Sequence, residues 1–215
     1  NIFIRTPMGN FYHASDFKFD PTPFDGKTTD IAKIESLARE GVICLMSDCL
    51  GVEKQGFSKS EITILENFEK EIQNCKGKFI VTTYSSNIAR LNQVIKASEK
   101  VGRKVCFIGR SLTKTKEVAE KLGYMKLKQG MEVELNRVKN YKDSDLTLLV
   151  AGSQGQEESA MARIANGEHR EIKLRKDDVI IFSADPIPGN EVSIYSIIEA
   201  IAKSGARVLY SAVSR

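Results

Sequence analysis

Phe79-Ile-Val-Thr-Thr83-Tyr-Ser-Ser-Asn87-Ile-Ala-Arg-Leu-Asn-Gln-Val-Ile-Lys-Ala-Ser-Glu-Lys100-Val-Gly102-Arg-Lys-Val105-Cys-Phe-Ile108 decides the fold. Phe79–Thr83 and Val105–Ile108 are short runs rich in β-branched and large apolar residues, the pattern of strands buried on both faces. Between them Ile88, Leu91, Val94 and Ile95 recur at helical spacing from Asn87 to Lys100, and Gly102 stops the helix. Strand, helix and strand in this order imply a right-handed crossover between parallel strands.

The same grammar extends outward. Val42–Met46, Leu146–Ala151, Val179–Phe182 and Val208–Tyr210 are further apolar runs expected to be buried strands. Ser58-Lys-Ser-Glu61 has capping-box spacing, with Phe57 and Ile62 at staple positions, and Ile62, Leu65, Phe68 and Ile72 mark one helical face. Another helix opens near Asn190, after Pro186-Ile-Pro-Gly189, and runs through Tyr195, Ile198 and Ile201 to Gly205. Repeated alternation of this kind predicts an α/β fold, a mainly parallel sheet flanked by helices. The first fifty residues differ. Ile2–Arg5 and Asn10–His13 read as a hairpin around Thr6-Pro-Met-Gly9, followed by the acidic-aromatic stretch Asp16-Phe-Lys-Phe-Asp20 and a Pro/Gly-rich loop to Lys27. A domain boundary is expected near residues 50–56.

Composition bounds the function classes. Of 215 residues, 41% are hydrophobic, enough for a full core, and no apolar stretch approaches the ~20 residues of a membrane span. No signal-peptide pattern opens the chain; Asn1 in place of methionine suggests an excised piece of a longer protein. Cys44, Cys49, Cys75 and Cys106 lack CxxC spacing and mostly sit in or beside apolar runs, so buried reduced thiols and a cytoplasmic location are expected. The net charge of +4 does not announce nucleic acid by itself. Residues 100–128, however, hold nine Lys or Arg against Glu117 and Glu120, either a phosphate-contacting patch or a solvated helix face.

Local chemistry offers few sites. His13 and His169 are the two histidines, and no His-x-His-x-Asp-His cluster, HExxH or paired CxxC is present to make a self-contained zinc site. The turns Thr83-Tyr-Ser-Ser-Asn87 and Gly152-Ser-Gln-Gly155 each follow a predicted strand, where backbone N–H groups suit an anion; the same residues also serve simply to cap helices. Asp16 and Asp48 follow predicted strands, where a carboxylate projects from a sheet edge or caps a turn. An unrelated nucleotide-binding protein is disfavoured, since neither Gly-x-Gly-x-x-Gly nor a P-loop occurs.

Seven segments in order carry a family resemblance: His13-Ala-Ser-Asp-Phe-Lys-Phe-Asp20, Leu45-Met-Ser-Asp48, Ser85-Ser-Asn-Ile88, Gly109-Arg-Ser111, Ala151-Gly-Ser-Gln-Gly155, Arg163-Ile-Ala-Asn-Gly-Glu-His-Arg170 and Phe182-Ser-Ala-Asp-Pro-Ile-Pro-Gly-Asn-Glu191. They resemble ribonuclease J, a metallo-β-lactamase nuclease carrying an inserted β-CASP domain, over essentially the whole chain. The resemblance implies that residues 1–51 end the metallo-β-lactamase half, 52–200 form the β-CASP domain and 201–215 begin the return. It makes Asp16 a metal ligand bridging two zinc ions and Asp48 the catalytic acidic residue beside them. Ser85, Asn87, Arg90, Ser153, Gln154 and Arg163 become the expected RNA contacts. The implied activity is zinc-dependent hydrolysis of phosphodiesters in single-stranded RNA, internally and from a 5′-monophosphate end, by a homodimer or tetramer. The family's histidine clusters would lie outside this stretch, so the piece is expected to be inactive alone; an isolated RNA-binding β-CASP module is the other reading. Two departures stand out: Ser15 occupies a position where the family has glycine, and Cys49-Leu-Gly51 replaces a Ser-Thr-Asn-like stretch.

Overall fold

The computed structural model describes residues 1–49, 52, 53 and 55–210. It falls into two compact units, Asn1–Ile64 and Leu65–Arg215. Residues 50, 51 and 54 of the expected boundary, and 211–215 of the expected return, lie outside the described residues.

In the first unit, strands β1 (Ile2–Thr6) and β2 (Gly9–Ser15) form the expected antiparallel hairpin, with Thr6 opposite Gly9. Helix α1 (Ile31–Ala38), which sequence patterning did not single out, then crosses over to β3 (Cys44–Ser47), parallel to β2. The Asp30 side chain caps α1 by accepting from Lys33 N–H at 2.8 Å. The Val42–Met46 run was expected to be buried on both faces. Instead β3 is an edge strand on which Leu45 and Met46 are exposed, because no described element of this unit covers them. Cys44 is half-buried and Cys49 exposed, so the expectation of buried thiols holds for Cys75 and Cys106. Burial, with Glu132 nearby, pushes the Cys106 thiol up to about 12.

Ser15 gives the first departure from the family a structural meaning. Its φ is 55°, a left-handed conformation that glycine adopts freely, and it follows a register shift between β2 and β3. Ser15→Gly is expected to raise thermal stability, by up to ~1 kcal/mol once glycine's own entropy cost is offset. An unchanged or lowered melting temperature would contradict this.

Helix α2 (Ile62–Asn74) opens where the capping box was expected, but Ser60 serves its first turn, its hydroxyl accepting from Ile62 N–H at 3.3 Å. Glu61 instead pairs with Lys18 at 2.9 Å. The backbone N–H groups of Glu61 and Thr22 both donate to Asp20, holding its carboxyl below the usual range.

The second unit is a five-stranded sheet, every neighbouring pair parallel, in the order β5-β6-β4-β7-β8. Its strands are β4 (Phe79–Thr82), β5 (Lys104–Ile108), β6 (Leu146–Val150), β7 (Val179–Phe182) and β8 (Arg207–Leu209). Helices α3 (Ile88–Lys100), α4 (Arg110–Lys121), α5 (Ala160–Ala165) and α6 (Glu191–Lys203) connect them. The α/β architecture read from the alternation is therefore the observed one. Ile80, Leu148, Val150, Ile180 and Phe182 pack with α5 and α6 in one core layer. The alternate residue Phe79 meets Phe68 edge to face, with ring centroids 6.5 Å apart. Among the described residues no helix is long and apolar enough to cross a membrane.

A buried ionic cluster closes the amino end of this sheet. Lys78 Nζ contacts Asp178 at 2.9 Å and Asp143 at 3.1 Å, with Asp178 wholly buried. Asp178 also accepts the backbone N–H groups of Lys78 (2.7 Å) and Arg175 (2.9 Å). Arg103 is buried alongside, donating to the carbonyls of Cys75, Gly77 and Leu146.

Candidate nucleic-acid interface

Strand order places the site. The chain leaves β4 through α3 toward β5 at one edge, returns to β6 beside β4, then crosses to β7 on β4's other side. Where connections from neighbouring strands part in this way, a crevice opens outside the strands' carboxyl ends. The turns after β4 and β6 meet there, in a cleft of about 1340 Å³ lined also by the turn after β5.

Glycines permit the close approach of these turns. Gly109 has φ 117°, and a Cβ on it would lie 2.5 Å from the Cβ of Ala151; one on Gly152 (φ 119°) would overlap Ser159. Gly109 is also the N-cap of α4 and brings no side chain to the first-turn amides, leaving the positive end of the helix dipole facing the cleft. Ser85 and Ser111, from the turns after β4 and β5, share a 2.8 Å hydroxyl–hydroxyl hydrogen bond over this helix start.

Of the expected RNA contacts, Ser85, Ser153, Gln154 and Arg163 line the cleft, whereas Asn87 and Arg90 do not. Asn87 caps α3, accepting from Arg90 N–H at 3.0 Å. The Arg90 guanidinium turns to Ser183, donating to its carbonyl at 2.9 Å and hydroxyl at 2.7 Å. Gln154 is buried and ties three segments together: its amide donates to Tyr84 Oη and the Asp185 carbonyl, both at 3.1 Å, and its oxygen accepts from Ile187 N–H at 2.8 Å. Ser153 is likewise buried in the cleft wall.

Arg110 and Lys114 of the basic run, Ser111 of the Gly109-Arg-Ser111 segment, and His169 also line the cleft, although none of them was among the residues expected to contact RNA. Gly109-Arg-Ser111 follows a strand, as residues 83–87 and 152–155 do. Three of the nine cations of residues 100–128 pair with carboxylates, and two more bond backbone carbonyls. Lys100 pairs with Glu69, Lys116 with Glu120 and Glu132, Lys128 with Glu99, Lys104 donates to the Gly130 carbonyl, and Arg103 is buried. Arg110 and Lys114 line the cleft and form no ion pair among the described residues. Its rim carries both signs, Arg110, Lys114 and Arg163 against Glu157, Glu158 and Glu168, so anion preference there rests on oriented donors more than on net field.

In the first unit Asp16 and Asp48 directly follow β2 and β3, whose parallel register sets Ser15 opposite Ser47. The two carboxylates thus leave adjacent strand ends together, both exposed. Among the described residues no group of three or more His, Cys, Asp or Glu side chains is placed to hold a metal ion.

Residues 76–201 match the family described as ribonuclease J, beta-CASP domain. The chain belongs to the ribonuclease J family. It is 39% identical over 209 residues to ribonuclease J of Synechocystis sp., covering 97% of this chain and 33% of that protein. Against ribonuclease J of Thermus thermophilus the identity is 40% over 209 residues, again 97% of this chain and 36% of the relative. Against that of Mycobacterium tuberculosis it is 34% over 214 residues, 100% of this chain and 38% of the relative. The chain thus spans about a third of the length of the ribonuclease J proteins it matches, and its five-stranded parallel unit contains the whole matched β-CASP segment.

Proposed function

We propose that this chain is the RNA-gripping part of a ribonuclease J-type nuclease, its cleft taking the phosphodiester backbone of single-stranded RNA. The observation that carries the reading is the convergence of the uncapped start of α4, the Ser85–Ser111 pair and the unneutralised Arg110, Lys114 and Arg163 at one sheet edge. Helix starts and fixed hydroxyl donors favour anions, and guanidinium groups favour phosphate oxygens. The relatives' name, ribonuclease J, points to the same substrate class.

In this reading residues 1–51 belong to the metallo-β-lactamase half and 52–200 to the β-CASP insertion. The parent protein hydrolyses RNA in the cytoplasm, internally and from a 5′-monophosphate end, as a dimer or tetramer. Asp16 and Asp48 face its metal centre, Asp16 as ligand and Asp48 as the acidic residue beside it. A catalytic zinc needs three protein ligands and an open position. The described residues supply no such set, so they do not fit a resident zinc on their own and no hydrolytic step is assigned to them.

Fluorescence anisotropy of a labelled single-stranded RNA with this chain, between 50 and 400 mM KCl, tests the reading. Three phosphate contacts predict a slope of about −2 in log affinity against log salt. Affinity indifferent to salt would sink the phosphate-gripping role. RNA cleavage by the chain on adding zinc would overturn the incomplete metal set.

A further inference from the structure

We infer that His169 is an RNA-contacting residue of the cleft, presenting a fixed, uncharged Nε2–H to a phosphate oxygen beside Arg163. This rests on the RNA-binding reading of the cleft and adds a donor to it.

His169 is only 6% exposed, yet it forms part of the cleft wall with Arg163. Its Nδ1 accepts the backbone N–H groups of Glu171 (3.3 Å) and Ile172 (3.2 Å). A ring nitrogen that accepts carries no proton, so the neutral imidazole must carry its hydrogen on Nε2. Nε2 is not among the buried polar atoms lacking a partner, nor does it bond to any described residue. It therefore keeps some solvent-accessible surface, while the Nδ1 edge of the ring is built into the protein.

The turn around it is held from several sides. The N–H groups of Glu168 (2.8 Å) and His169 (3.0 Å) both donate to the Arg163 carbonyl, Gly167 takes φ 72°, and Lys173 Nζ reaches the Gly167 carbonyl. His169 thus sits one backbone hydrogen bond from Arg163, and both side chains face one wall.

The surroundings of the ring favour its neutral form. Burial first, then Arg163 and Lys173, push its pKa below the ordinary histidine value, and Glu171 opposes them only in part; Glu168 shares the wall. A second proton would have to enter at Nδ1, where two amide hydrogens already point. Arg163 supplies charge to an incoming phosphate, and His169 supplies a directed donor of constant strength near neutrality. A side chain serving only to brace this turn would not need an open Nε2.

The test is the anisotropy of a fluorescein-labelled ten-residue oligouridylate RNA with the whole chain at 50 mM KCl. His169→Leu is expected to lower affinity about tenfold, the loss of one hydrogen bond to a charged group. His169→Gln, which can both accept the two amides and donate outward, should stay within about threefold of wild type. Wild-type affinity should be flat from pH 8 to 6. A rise toward pH 6 through an imidazolium would overturn the uncharged donor. If His169→Leu melts like wild type and binds like it while Arg163→Ala binds weakly, His169 only braces the turn and the cleft reading stands. If neither substitution weakens binding, the cleft reading falls as well. Should His169→Leu fail to fold, ¹⁵N-histidine spectra of the wild type decide: added RNA must shift Nε2 and leave Nδ1 in place, and an unmoved Nε2 refutes the contact.

Discussion

Replacing Arg110, Lys114 and Arg163 together by alanine is expected to lower affinity for single-stranded RNA on the order of a hundredfold at 50 mM salt. The same change should flatten the salt dependence by about 2 logarithmic units per decade, since each single-strand phosphate contact contributes about 0.7. The size of the effect depends on which cations are available. Lys100, Lys116 and Lys128 spend their charge on Glu69, on Glu120 and Glu132, and on Glu99. Arg110, Lys114 and Arg163 reach the cleft unneutralised, and after their loss Glu157, Glu158 and Glu168 would dominate its rim. All three are exposed, so stability should change by less than about 0.5 kcal/mol each. Parallel salt plots for variant and wild type would refute phosphate binding at this edge.

The largest stability effect is expected at the sheet's other end. Asp178→Ala strands the buried Lys78 ammonium with Asp143 alone and removes the acceptor for two backbone N–H groups. Breaking a buried ion pair from one side costs about 3–5 kcal/mol, far more than the net worth of the intact pair. For a unit of this size the melting temperature should fall by roughly 10 °C or more. Adding Lys78→Met to Asp178→Ala should restore part of the loss, because no charge is then left buried without its partner. A fall under about 3 °C would mean that water or Asp143 satisfies Lys78 without Asp178. RNA binding by the folded fraction should be unchanged, since the cluster and the cleft lie at opposite ends of the strands.

These two sites differ in how far they can be read from the chain. Strands β4 to β7 follow from sequence to within about a residue, because a strand covered on both faces is a continuous apolar run. Helices α3 and α6 follow from apolar spacing and their flanking Asn87, Gly102, Gly189 and Gly205. Helix α4 escaped because it buries only Leu112 and Ala119, too sparse a stripe to show a period. Helix α1 buries nothing deeply and hides behind a Pro/Gly stretch. Edge strand β3 looks like a core strand in sequence and differs only in what covers it.

Sequence alone therefore determined the α/β class, the family, the main strands and the turns that reach the cleft, since these depend on near neighbours along the chain. Tertiary structure decided the rest. Strand order, and with it the crevice between β4 and β6, depends on pairings across more than sixty residues that no local pattern encodes. The parallel register of β2 and β3 brings Asp16 level with Asp48, and acids distant in sequence pair with Lys100 and Lys128 of the basic run. His169 belongs to the cleft wall through tertiary structure alone, where the backbone amides of Glu171 and Ile172 claim its Nδ1.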